Sequence, residues 1–98
     1  MLFEWDEQKR AANLAKHGVD FEAAKLIFDG VTLEFPDNRR DYGEPRIGAF
    51  GVVQGEVLFV VYTPRGDSRR LISARKAGTY ERQIYYTRVA SGGADGTG

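Results

Sequence analysis

The chain has 98 residues, 42% hydrophobic and 29% charged, with zero formal net charge, no cysteine and one histidine. This length makes one domain with one small core; the composition excludes a disulfide scaffold, a thiolate metal site and a His-rich metal site, and zero net charge by itself speaks against a polyanion binder. No run approaches the roughly 18 apolar residues of a membrane helix, and Met1-Leu2-Phe3-Glu4-Trp5-Asp6 lacks the basic start and apolar stretch of a signal peptide, so a cytoplasmic location is expected.

Phe3 and Trp5 flank Glu4 in a short alternating segment, which predicts an edge strand. Asp6 suits the N-cap of a following helix. Ala11, Leu14 and Ala15 give that helix one modest apolar face. Lys16, His17 and Gly18 close it, with cations at the negative end of the dipole and Gly as the left-handed cap. Asp20 caps a second helix with Ala24, Ile27 and Phe28 inward, and Asp29-Gly30 stops it. Val31 to Phe35 alternates and ends at Pro36, a strand. Residues 37 to 45 are polar and turn-rich. Arg46 to Val53 is a strand weakened by Gly48 and Gly51. Gln54-Gly55 turns into Glu56 to Tyr62, apolar on both faces and therefore central. Its two sides are Val57, Phe59 and Val61 on one and Leu58, Val60 and Tyr62 on the other.

Pro64-Arg65-Gly66-Asp67 predicts a turn, followed by a strand over Arg69 to Arg75. Thr79 can cap a last helix to about Ala90, with Tyr80/Ile84 and Tyr85/Val89 as i, i+4 pairs. Residues 1–90 form one domain, and the Gly-rich segment 91–98 is expected to be a flexible tail. The order β-α-α-β-β-β-β-α predicts an α+β fold, an antiparallel sheet of about four to five strands with helices on one face.

The arginine strand is the most unusual element. Strict alternation puts Arg69, Leu71, Ser73 and Arg75 on one side and Arg70, Ile72 and Ala74 on the other. Arginine is costly to bury unpaired, so such a strand implies a bound anion or a carboxylate partner. Charge is also unevenly spread. Residues 1–37 hold four basic and eight acidic side chains, while residues 65–88 hold seven basic and two acidic. That asymmetry points to polyanion binding, or to a dimer that docks acid on base.

Several residues are candidates for chemistry, each beside a plainer role. Histidine is the side-chain type that titrates near neutrality, so His17 is a candidate acid or base. Its plainer role is a cation at a helix C-terminus, worth about 0.3–1 kcal/mol. Lys16 is a candidate phosphate ligand or a solvated helix end. Arg65, Arg69, Arg70 and Arg75 can grip phosphate and stabilise its transition state, or pair with Glu34, Glu44, Asp67 or Glu81. Glu44 is a candidate base for a ribose 2′-hydroxyl, or a counter-ion near Arg46. Tyr62, Tyr85 and Tyr86 can stack a base or simply fill the core. No P-loop, dinucleotide fingerprint, catalytic triad or zinc spacing is present.

Taken in order, these pieces resemble one family. Trp5-Asp6-Glu7, Lys9, Asn13 and Lys16-His17-Gly18-Val19 followed by Phe21 are similar to the N-terminal signature of the BrnT toxins. Asp41-Tyr42-Gly43-Glu44 with Arg46, then Tyr62-Thr63 with Arg65-Gly66, resemble its middle. Arg70-Leu71-Ile72-Ser73-Ala74-Arg75-Lys76-Ala77, with Glu81-Arg82 and Tyr85, resembles its C-terminal signature. The resemblance implies a RelE-like fold and a bacterial type II toxin, a metal-independent endoribonuclease that blocks translation and uses no cofactor. It implies a BrnA-like antitoxin with a ribbon-helix-helix domain, and operator DNA contacted only through that antitoxin. A homodimer, or a heterotetramer with antitoxin, is expected.

On this basis Lys16, His17, Glu44, Arg65, Arg70 and Arg75 are the expected catalytic set. Arg46, Arg69, Lys76, Arg82 and Tyr85 are expected to contact RNA, and no metal site is expected. The competing expectation is a non-catalytic module, an inactive homologue that serves as antitoxin-complex subunit and co-repressor. Arginines that converge with Lys16 or His17 in an open groove favour the nuclease; arginines paired within the chain favour the module.

Overall fold

The computed structural model describes residues 1–91; beyond Ser91, the expected tail lies outside the described residues. Strand β1 is Leu2–Glu4, and helix α1 is Glu7–His17. Helix α2, Phe21–Ala24, runs on into a 3-10 turn over Lys25–Asp29. Strands β2 (Leu33–Pro36), β3 (Ile47–Val53), β4 (Glu56–Arg65) and β5 (Ser68–Lys76) follow, and helix α3 is Thr79–Ala90. The sheet order is β1-β5-β4-β3-β2. All pairings are antiparallel except β1 with β5. This is the α+β architecture and element order the sequence predicts.

Local chemistry explains the boundaries. The Asp6 carboxylate accepts from the N–H groups of Gln8 and Lys9, and Gly18 ends α1 in the left-handed region with its N–H on Leu14 O. Asp20 caps α2 in the same manner through Glu22 N–H. Gln54 and Gly55 both have positive φ, 50° and 79°. That is the mirror-image turn matched to a twisted hairpin. Strand β4 is buried from Val57 to Thr63, as expected of a central strand. It also runs three residues further than predicted, so the second hairpin turns at Gly66-Asp67 alone.

The two sides of β4 belong to separate cores. Leu58, Val60 and Tyr62 pack with Phe21, Ala24, Ile27, Leu71 and Ala74 under α2 and its 3-10 extension. Val57, Phe59 and Val61 pack with Phe50, Ala77 and Tyr85 under α3. Thus α3 lies on the opposite face from the other helices, a departure from helices gathered on one side. The reason is that β4 is apolar on both sides and needs two covers. Tyr85 anchors α3 through an O–H bond to Val31 O at 2.7 Å.

Strand β5 also departs from strict alternation. The register runs Val61↔Ser73 and then Tyr62↔Leu71, which leaves Ile72 as the extra residue of a bulge. Leu71 and Ala74 therefore share the α2 core. Arg69, expected beside Arg75, instead stacks over Phe28 and Tyr62 on the α2 face, 4.5 and 5.1 Å from their ring centres. Arg75 stacks over Phe59 at 4.8 Å on the α3 face. Arg70, next to inward Leu71, shares that α3 face.

Gly51 marks a close approach of sheet and helix layer. A Cβ there would lie 2.6 Å from Ile27 Cβ and 3.3 Å from Ile27 O. Gly51→Ala is expected to destabilise the domain by about 1–3 kcal/mol through overpacking. A thermal melt that matches wild type would show that the layer can shift freely.

Candidate functional site

The α3 face carries the most concentrated cationic chemistry. Arg75 donates two bonds to Glu81, Nη1 to Oε1 at 2.8 Å and Nη2 to Oε2 at 2.9 Å. Glu81 is the third residue of α3, and its carboxylate also accepts the N–H of the N-cap Gly78 at 2.8 Å. The Arg75 guanidinium, seconded by that N–H, holds the Glu81 carboxyl down to about 2 against an ordinary 4.5. Glu81 in turn raises the Arg75 pKa, while burial and the nearby Arg39 charge oppose the rise.

Arg39 reaches this place from the loop after β2. Asp37 binds its Nε and Nη2, both at 2.8 Å. The Asp37 side chain is 3% exposed and that of Arg39 67%, so a buried carboxylate aims an exposed guanidinium. Arg39 holds the Asp37 pKa below the usual carboxylate range, against the effect of burial. The Asp37 N–H also donates to Arg46 O at 2.8 Å, which fixes the loop's ends together. Phe35, Phe50 and Phe59 floor the resulting groove of about 230 Å³, with Asn38, Arg39, Arg75 and Glu81 on its walls. Two guanidinium groups, each already holding a carboxylate and one of them stacked over Phe59, make an anion site.

The Glu81 contact carries a pH signature. A carboxyl lowered on folding adds stability that is fully present above its unfolded value and lost as pH falls through the folded one. Here that window runs from 4.5 down to about 2. Glu81 is one-third exposed, so the contribution is discounted to about 1–2 kcal/mol. Glu81→Gln is expected to flatten the loss of stability in that window. Parallel acid-denaturation curves for wild type and variant would count against the pair.

The remaining expected site residues are dispersed. Arg70 Nη1 pairs with Glu4 at 3.0 Å. Arg46 Nε pairs with Glu44 at 3.3 Å, and its guanidinium lies 4.0 Å from the Tyr42 ring centre. Arg65 is exposed at the β4–β5 hairpin and has no ion pair among the described residues. Arg82 donates to Ala77 O at 3.4 Å and Thr79 Oγ1 at 3.3 Å in the first turn of α3. Tyr85 is buried in the α3 core, and burial raises its pKa.

Lys16 and His17 end α1, whose Leu14 lines a separate cleft with Val19, Leu58 and Lys76. No α1 residue lines the arginine groove. The structure therefore brings Arg70 and Arg75 to one face but does not gather Arg65, Arg69, Lys16 or His17 around them. Asp37 and Arg39 lie in a polar segment whose residue types read only as a turn; in the fold Asp37 also accepts the N–H of Arg39 at 3.3 Å.

A further polar contact lies on the α2 face. Tyr62 O–H donates to Glu34 at 2.6 Å. Burial raises the Tyr62 pKa, partly opposed by Arg69.

No helix among the described residues is long and apolar enough to cross a membrane. No curated protein matches the chain. The crystal structure of the Brucella abortus ribonuclease toxin BrnT is similar, with TM-score 0.64 and 31% identity, over 81% of this chain and 100% of that one. The family model for BrnT, ribonuclease toxin of type II toxin–antitoxin systems, matches residues 5–81. That span takes in strands β2 to β5, the loop that carries Arg39 and the Arg75–Glu81 contact, so the chain belongs to the BrnT family of type II ribonuclease toxins.

Proposed function

We propose that the chain is an endoribonuclease that cleaves RNA and inhibits translation, and that the Arg39–Arg75 groove binds the scissile phosphate. The observation that carries this reading is the bidentate Arg75–Glu81 contact beside Arg39. A carboxylate there stands where two phosphate oxygens fit. Incoming phosphate takes Arg75 and releases Glu81. Freed of the partner that holds its pKa low, Glu81 becomes a better proton acceptor. It takes the proton of a ribose 2′-hydroxyl as that oxygen bonds to phosphorus. The bond from phosphorus to the 5′ oxygen breaks, and water supplies the proton that oxygen needs. Arg39 and Arg75 stabilise the charge on the non-bridging oxygens without a metal. Arg70 and Arg46 extend the cationic face for flanking phosphates.

The antitoxin in this reading is BrnA-like, with a ribbon-helix-helix domain that alone contacts operator DNA, in a cytoplasmic heterotetramer. Apolar surface for it exists beside the groove, where Leu33, Phe35, Phe50, Tyr80 and Ile84 line a cleft of about 550 Å³. Helix α3 already covers part of this face, so the antitoxin needs to cover only the remainder.

Two observations favour the second reading: neither Lys16 nor His17 lines the arginine groove, and the arginines are paired within the chain. Arg46, Arg70 and Arg75 each pair with a carboxylate of the same chain, as in a non-catalytic antitoxin-complex subunit and co-repressor. Inducible expression in a bacterium, with and without the neighbouring antitoxin frame, separates the two. The nuclease arrests growth and fragments RNA when expressed alone. Normal growth with intact RNA supports the module.

A further inference from the structure

We propose that the loop between β2 and β3 carries a nucleobase subsite selective for guanine. The proposal rests on the phosphate groove described above and names what lies next to it. A second cleft, of about 400 Å³, shares Asp37 and Asn38 with that groove. A phosphate held by Arg39 and Arg75 therefore has an attached nucleotide within reach of the second cleft.

Two features of this cleft suit a base. The first is a stacking platform. The Arg46 guanidinium lies 4.0 Å from the Tyr42 ring centre. Both side chains are tied down, Tyr42 through its O–H to Asp37 at 3.5 Å and Arg46 through Nε to Glu44 at 3.3 Å. A flat, anchored Tyr–Arg pair offers a π-face to any base and loses little entropy when one stacks on it.

The second feature is the supply of acceptors. Glu44 bonds to Arg46 through Oε2 only, which leaves Oε1 without a partner among the described residues. Asp41 uses Oδ1 for the Gly43 N–H at 3.0 Å, which leaves Oδ2. Among the four bases only guanine presents two adjacent donors, N1–H and N2–H, on its Watson–Crick edge. A carboxylate meets that pair with two parallel bonds. Adenine and cytosine set a lone-pair nitrogen beside their amino group, and uracil flanks its one N–H with carbonyls, so each turns an acceptor toward the carboxylate. Glu44, on a strand entry beside the platform, is the reader.

The test uses tetraribonucleotides with 2′-O-methyl sugars, which cannot be cut, identical except for one G, A, C or U. Fluorescence anisotropy measures their binding to the full chain. The expected result is binding of the G oligonucleotide about tenfold tighter than the other three. Glu44→Gln is expected to remove that preference and leave the other three affinities nearly unchanged. Tyr42→Leu is expected to weaken all four alike. Equal binding of the four by the wild type, or a G preference that survives Glu44→Gln, overturns the base subsite while the phosphate groove stands. Loss of all binding only in Arg75→Ala supports the groove independently. Absence of binding by the wild type overturns both.

Discussion

Arg75→Ala is expected to cut RNA cleavage roughly ten- to a hundredfold, the effect of losing one charge-assisted contact of about 1.5–3 kcal/mol in the transition state. The fold is expected to survive. Glu81 is one-third exposed and regains water when its partner leaves, and it keeps the Gly78 N–H. Arg75→Lys is expected to fall between wild type and Ala, because it keeps the charge but loses the planar fork. Glu81→Gln separates binding from chemistry. It vacates the anion seat on Arg75, so RNA binds more tightly, yet it removes the proton acceptor, so cleavage slows. Single-turnover cleavage and equilibrium binding on the same proteins test this set. A well-folded Arg75→Ala protein that cuts at the wild-type rate would place the phosphate elsewhere.

The largest structural effect is expected at Asn13. Strand β1 pairs only with Ser68, Arg69 and Arg70 of β5, so the outer edge of Ala74 has no strand beside it. The buried Asn13 amide fills that place. It donates to Ala74 O at 2.8 Å and to Val19 O at 3.0 Å, and accepts from Ala74 N–H at 3.1 Å. Asn13→Ala leaves these backbone groups buried without partners, at a cost of about 2–4 kcal/mol. That is a large share of the roughly 5–15 kcal/mol that holds a domain folded. Asn13→Asp is expected to be no better, since a carboxylate cannot donate to either carbonyl. Urea unfolding should show a lower midpoint with an unchanged slope. An unchanged midpoint would mean that water replaces the amide at little cost. Because Ala74 precedes Arg75, the same substitution is expected to loosen the strand that aims the guanidinium.

Most caps and turns were legible in the sequence, although Gly78 and not Thr79 caps the last helix. Asp6, Gly18, Asp20 and Gln54-Gly55 act locally, so residue type alone places them. The two-sided burial of β4 was legible too, because an uninterrupted apolar run carries that meaning wherever the strand lies. The phase of β5 was not. One extra residue at Ile72 turns the arginines over, and nothing in Leu71-Ile72-Ser73 distinguishes a bulge from a regular strand. The side taken by α3 was equally hidden, since Tyr85 and Val89 suit either face. The groove was the least legible of all. Arg39 lies in a polar loop and Arg75 in a strand, and only the folded sheet makes them neighbours. The family signatures pointed to the Arg70–Ala77 segment and to Glu81, which proved to be joined through Arg75, but they left Asp37 and Arg39 unmarked.

The proposed cleavage of RNA at a phosphate held by Arg39 and Arg75 can be checked on purified protein. Its most direct test is incubation of purified protein with end-labelled RNA in excess EDTA, with wild type and Arg39→Ala/Arg75→Ala side by side. The wild type is expected to leave fragments ending in a 2′,3′-cyclic phosphate, and the folded double variant to leave the RNA intact. Equal cleavage by both proteins, or cleavage that stops with chelator and returns with magnesium, would contradict the proposal.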